Sequence, residues 1–390
     1  GLRGRYFQPF VNLFCQRLNK AKVIAKVNGA NAYTLYNPPL PTPAGMRAME
    51  ARIRAIFFKL HTPTTATISV TYRCQCKCVH CSAEYFKARE KEELTSEEFK
   101  RVIDGATNLG VINFTLTGGE PMLRKDLYEI IAHVDKSKAQ AMMFTNGWYL
   151  SQENVNRLKE AGLYALNISI DHVDPEVHDQ LRGLKNCYQR AFDGAERARR
   201  AGILTGISTY ACADNIRDGS LEKLLKLAQE LGFNEVTIFD CMPAGKFLKQ
   251  TNKILTQEER GKLIELARKY VAMDHPMGAV AQSWINSPLG TGCFGGYYQF
   301  YLTAYGDVNP CDFNPISFGN VRESSIEEIW TRLTSHGEYR KRRMECRIQN
   351  PDYRKQFIDP IPDGSQFPVS IEEVEQLRKQ SSRPLPACRN

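Results

Sequence analysis

The sequence predicts an α/β protein built on a parallel sheet curled into a six-stranded (βα)6 barrel or partial barrel. Two observations carry this. Between Thr67 and Gly245, short apolar runs alternate six times with amphipathic helical stretches. Every unusual polar cluster in that span falls just after a predicted strand: 74–81, 118–121, 145–147, 169–171, 208–215 and 240–245. In βα barrels that is the C-terminal face, where active sites sit. The 390 residues, 42% of them hydrophobic, suit one large domain and a smaller one. The expected division is a basic extension at 1–66, the barrel at 67–275 and a loop-rich module at 276–390.

Residues 5–20 read as a short amphipathic helix with Pro9 near its start. Alternation from Lys22 to Tyr36, interrupted by Asn28-Gly29, signals a hairpin. Pro38, Pro39, Pro41 and Pro43 make a stiff linker. Met46, Met49, Ile53, Phe57 and Leu60 then recur at helical spacing. That basic amphipathic helix can lie on a membrane or pack on the next domain.

The barrel strands are expected at Ala66–Val70, Asn113–Thr117, Ala139–Phe144, Ala165–Ile170, Ile203–Tyr210 and Glu235–Phe239. Thr95-Ser-Glu-Glu98 is a capping box that opens the first helix, and Thr256-Gln-Glu-Glu259 opens another after the last strand. Beyond Gly290 the text is loop-like, with short helices expected at Ser325–Leu333 and Ile371–Lys379 and an extended tail from Arg383.

Residues 1–60 hold ten basic side chains and one acid, Glu50, which accounts for the whole net charge of +9. That imbalance points to an anionic partner such as lipid headgroups or an acidic peptide. No apolar run is long enough to span a bilayer, and no clear signal peptide is present. The expected location is cytoplasmic, with peripheral attachment to the inner face of the membrane through residues 1–60. The first residue is Gly, so a lost leader stays open. With 12 cysteines and no secretory signal, metal ligands, catalytic groups or reduced thiols are expected rather than disulfides.

Four of those cysteines lie in Cys74-Gln-Cys-Lys-Cys-Val-His-Cys81. Cys74, Cys78 and Cys81, spaced Cys-x3-Cys-x2-Cys on a loop after a strand, can hold three irons of a cubane and leave the fourth open. Cys76 is a bystander in that reading, or else the loop binds zinc through four sulfurs.

Joined to Gly118-Gly119-Glu120-Pro121 after the second strand, this loop resembles that of the radical S-adenosylmethionine superfamily. The resemblance runs from Thr67 to about Gly245. It implies a partial TIM barrel. It also implies a [4Fe-4S] cluster whose open iron is chelated by S-adenosylmethionine, reductive cleavage to a 5′-deoxyadenosyl radical, and a flavodoxin- or ferredoxin-type electron donor. By the same resemblance, Gly118, Gly119, Glu120 and Pro121 bind the amino end of the cofactor, and His80 lies where an aromatic residue meets adenine. Asn146, Ser169 and Asp171, small polar groups at strand ends, suit ribose hydroxyls or the carboxylate, and Ser208 and Thr209 near the end of strand five suit the ribose and adenine. Cys212 and Cys241 follow strands five and six, placed either to donate a hydrogen atom or simply to fill space.

Cys293-x12-Gly306-x4-Cys311 brings two thiols together across a hairpin, which suits an iron–sulfur cluster or zinc. The spacing resembles the opening of SPASM and twitch domains, although the later cysteine run of a full SPASM domain is missing. One auxiliary [4Fe-4S] cluster is expected, on Cys293, Cys311 and Cys346, with Cys388 as fourth ligand or an iron left open.

The resulting expectation is hydrogen abstraction from an unactivated carbon, in peptide or protein modification or in cofactor maturation, with a peptide or small-molecule substrate. The alternative is a lipid, isoprenoid or other membrane-associated substrate, motivated by the basic amphipathic start. No nucleic-acid partner is expected.

Overall fold

The computed structural model describes residues 21–58, 62–87 and 91–381. Its centre is a nine-stranded sheet in the order β11-β10-β3-β4-β5-β6-β7-β8-β9. A separate hairpin precedes it, made of β1 (Ala25–Val27) and β2 (Ala30–Ala32), which turns through Asn28 and Gly29 at positive φ as the Asn-Gly signal predicts.

Six consecutive parallel strands follow the predicted alternation: β3 (Thr65–Thr71), β4 (Asn113–Gly118), β5 (Gln140–Thr145), β6 (Ala165–Ser169), β7 (Leu204–Ala211) and β8 (Glu235–Asp240). They are buried on both faces, which is why they read as near-continuous apolar runs. Helices Ser96–Leu109, Gln152–Glu160, Cys187–Arg200 and Ser220–Glu230 connect them, and both expected capping boxes are formed.

The count of six falls short. β9 (Gly278–Ala281) adds in parallel to β8, and β10 (Gln299–Leu302) adds in parallel to β3 on the opposite edge. β11 (Val308–Asn309) closes the series antiparallel to β10. The hairpin expected around Gly306 therefore exists, but its first strand completes the barrel sheet. Phe300, Tyr301 and Leu302 are all buried there, a pattern that local periodicity could not assign to a sheet begun over 200 residues earlier. The last pair, β12 (Ile316–Ser317) and β13 (Val369–Ser370), is parallel and lies within the C-terminal part.

Residues 22–36 are fastened across the N-terminal ends of the strands. The Leu35 N–H donates to Glu235 Oε1 (3.4 Å), and Gln140 Nε2 donates to the Leu35 carbonyl (2.7 Å). The Tyr36 hydroxyl donates to Thr237 Oγ1 (3.0 Å). Lys22 Nζ reaches the Tyr270 carbonyl at 2.6 Å. This part of the expected extension lies under the N-terminal strand ends of the central sheet.

Helix Pro43–Phe58 packs through Ala44 and Ala48, and Arg47 donates to the carbonyls of Lys138 and Thr107. Met46, expected on the apolar stripe, is 52% exposed instead. Small residues let the helix approach closely, and the longer Met46 is left outside. Among the described residues no helix is long and apolar enough to cross a membrane. The helix expected at 5–20 and the tail with Cys388 lie outside the described residues.

Candidate cluster and cofactor site

The cysteine loop leaves β3 and is clamped from three directions. Gly119 N–H donates to the Thr71 carbonyl (2.7 Å) and Glu120 N–H to the Arg73 carbonyl (2.8 Å). The backbone of Lys77 and Val79 donates to the carbonyls of Arg182 and Leu181, both at 3.0 Å. Lys246 N–H donates to the Cys81 carbonyl (3.1 Å), and its Nζ to that of Cys78 (2.8 Å). A Cβ on Gly119 would stand 2.3 Å from the Arg73 oxygen, and one on Gly245 2.1 Å from the Cys81 oxygen. Both positions therefore demand glycine, because backbone packs on backbone there.

Cys74, Cys76, Cys78 and Cys81 border a cavity of about 1020 Å³. Cys76 is buried, and its thiol interacts with those of Cys74, Cys78 and Cys187. Cys78 is pulled down to about 6, chiefly by the Cys76 hydrogen bond and further by Arg182, whose Nη1 lies 3.9 Å from its sulfur. Cys187, in the first turn of helix Cys187–Arg200, was not legible as part of this group: nothing near it in sequence marks it.

Arg182 Nε also stands 2.7 Å from Asp171 Oδ2, and His80 Nε2 stands 3.4 Å from the same oxygen. Burial works to raise the Asp171 carboxyl, but Arg182 and His80 outweigh it and hold it below the usual range. His80 is pushed down to about 4 by burial and lies 4.2 Å, centroid to centroid, from the Tyr210 ring.

The Gly-Gly-Glu-Pro turn divides in two. Gly118 and Gly119 border the cavity. Glu120 is fully buried and does not: its carboxylate accepts from Thr145 Oγ1 (2.8 Å), Asn146 N (2.8 Å) and Met122 N (3.1 Å). Burial raises it to about 7. It ties β4 to the loop after β5, and the buried Pro121 begins the turn Pro121–Leu123.

Asn146, Ser169, Asp171, Ser208 and Thr209 border the cavity as expected. Asn146 Nδ2 and Thr209 Oγ1 are buried with no hydrogen-bond partner among the described residues. Buried polar atoms are normally paired, so these two fit a polar group of a ligand. Cys241 borders the cavity and burial raises it to about 11; Cys212 is near enough to act on it electrostatically but does not border the cavity.

Cys293, Cys311 and Cys346 border the same cavity. Burial pushes Cys346 up to about 12, with Cys293 adding to the effect, and Cys311 rises well above its ordinary value for the same first reason. The turn from Phe294 to Gln299 and the Arg343 carbonyl, which accepts from Cys293 N–H at 2.8 Å, hold this end together.

The Radical SAM superfamily model matches residues 68–228, and an iron–sulfur cluster-binding domain, SPASM, matches residues 293–355. The chain is 29% identical over 303 residues to the AdoMet-dependent heme synthase of Methanosarcina barkeri, covering 69% of this chain and 82% of that protein. It is 28% identical over 290 residues to the PqqA peptide cyclase of Rhizobium meliloti, covering 71% and 76%. In fold it resembles Streptococcus suis SuiB bound to S-adenosylmethionine, with a TM-score of 0.57 and 17% identity over 72% of this chain and 69% of that one. The two matched regions contain both thiol sets that border the cavity, and they imply a [4Fe-4S] cluster with S-adenosylmethionine and auxiliary iron–sulfur binding. The chain thus contains a radical SAM domain at 68–228 and a SPASM-type iron–sulfur cluster-binding domain at 293–355, and its relatives are enzymes.

Proposed function

We propose that this enzyme removes a hydrogen atom from an unactivated carbon of a peptide, or of a precursor in cofactor maturation. The observation that supports it most is one cavity bordered by both thiol sets. In this reading Cys74, Cys78 and Cys81 hold the cluster that binds S-adenosylmethionine, and Cys293, Cys311 and Cys346 hold an auxiliary cluster. Strands β3 to β8 act as the six-stranded partial barrel, residues 67–275 supply the cofactor site, and 276–390 the auxiliary site.

When bound, the cluster and S-adenosylmethionine supply a one-electron cleavage that leaves a carbon radical able to take hydrogen. The chain's own residues orient and shield. Asn146 and Thr209 offer their unpaired polar atoms to the ribose or carboxylate, beside Ser169 and Ser208. Arg182 and Asp171 fix His80 against Tyr210, giving a flat face for the adenine. Phe144, Phe239 and Phe313 form an apolar wall that keeps out water and stray hydrogen donors. Cys241 is placed to return a hydrogen atom to a substrate radical. A flavodoxin- or ferredoxin-type protein supplies the electron. Relatives named for peptide cyclisation and for heme synthesis support both substrate classes.

Anaerobic reconstitution of the wild type and of a Cys74/Cys78/Cys81→Ala triple variant, with iron counted in each, tests the ligand sets. About eight irons falling to about four is the expected result. About four falling to none refutes the auxiliary set, and no iron at all refutes the reading.

A further inference from the structure

The charges around the cavity are not evenly matched. Arg182 is paired with Asp171, and Lys87 with Glu84 at 2.6 Å. Asp240 accepts from Ser283 Oγ (2.7 Å) and Gln349 Nε2 (3.2 Å), and Asp312 from Gln299 (3.3 Å). Two further cations border the cavity, Arg52 from helix Pro43–Phe58 and Arg342 beside the Cys293 segment. Arg52 touches the neutral Asn37 Oδ1 at 3.3 Å, and Arg342 Nε lies 3.1 Å from where a Cβ on Gly292 would stand. No carboxylate of the described residues forms an ion pair with either. Both arginines are solvent-exposed, and both border the cavity together with Tyr298.

The residues outside the described set carry mostly basic charge in the sequence. Their one acidic side chain is Glu90, whereas residues 1–20 hold Arg3, Arg5, Arg17 and Lys20 and no acid. That basic run leads directly into Ala21, which borders the cavity. The wall includes the apolar or aromatic Ile53, Ile285, Phe294 and Tyr298 beside the polar Asn37, Asn286 and Thr291.

We propose that Arg52 and Arg342 form an anionic anchor, and that the substrate presents a carboxylate to them while an apolar body lies along the aromatic wall. Two guanidiniums without carboxylate partners in a shared cavity suit a carboxylate through charge-assisted hydrogen bonds. The inference rests on the proposed function, because it assigns the cavity to the substrate of that reaction.

The test is anaerobic binding of 1-pyrenebutyrate to the reconstituted holoenzyme, followed by fluorescence, with 1-pyrenebutanol as the uncharged control and iron counted in the same samples. The acid is expected to bind about tenfold more tightly than the alcohol at low salt. Arg52→Gln and Arg342→Gln should each remove most of that preference while leaving the affinity for the alcohol unchanged. Equal binding of acid and alcohol, no binding of either, or equal loss of both in the variants overturns the anchor. If such a sample holds its full iron, the anchor alone has failed; a sample without iron refutes the enzyme reading instead. Displacement of the probe by a Glu-containing pentapeptide, and not by its Gln counterpart, supports the anchor with a peptide carboxylate as its ligand. Displacement by small aromatic acids alone supports it with a small molecule.

Discussion

Arg182 Nε stands 2.7 Å from Asp171 Oδ2, and both side chains are shielded from solvent. One arginine thus neutralises the carboxylate at the end of β6 and leans its other nitrogen toward Cys78. The backbone beside it accepts the Lys77 N–H, so the same residue anchors the cluster loop twice.

Replacing Arg182 by Met leaves Asp171 buried without its partner. Removing one member of a buried pair costs about 3–5 kcal/mol. The Arg182→Met variant should lose stability on that scale in urea denaturation, and an unchanged midpoint would show that Asp171 is hydrated or protonated.

Glu235 lies at the N-terminal strand ends, remote from the thiols, and burial raises it to about 7 from an ordinary 4.5. The folded state therefore binds more protons than the unfolded state between those values, so stability falls as pH rises through that window. The loss should reach about 3 kcal/mol above pH 7. Denaturation at pH 5 and pH 8 measures it, and Glu235→Gln, which keeps an acceptor for the Leu35 N–H, should narrow the difference, leaving the share of Glu120, which burial raises alike. A wild type equally stable at both pH values contradicts the assignment.

All four cysteines of the loop border the cavity, but Cys76 is buried whereas Cys74, Cys78 and Cys81 are half-buried. A Cys76→Ala variant is expected to keep its full iron after anaerobic reconstitution. Loss of about four irons would make Cys76 a ligand and reopen the choice among the four cysteines of the loop.

The parts that were legible in the sequence are those decided locally. The strand and helix alternation, both capping boxes and the Asn28-Gly29 turn follow from residues within a few positions of one another. The spacing of Cys74, Cys78 and Cys81 placed them on one loop facing one cavity. What stayed hidden is decided by distant partners. Glu120 reads as a ligand group until Thr145 and the Asn146 N–H claim its oxygens. Cys187, Arg52 and Arg342 join the site only because three remote segments meet there. β9 and β10 gained their place from sheet edges that periodicity cannot see.

The pairing of β10 with β3 also sets an order of assembly. The Thr64 and Thr65 N–H groups both donate to the Tyr298 carbonyl, more than 230 residues downstream. Until that segment has left the ribosome, the strand that carries the cysteine loop is an open edge, a template for unwanted pairing. A nascent chain thus leaves that edge of β3 unpaired until Gln299–Leu302 has been made, and that strand then covers it.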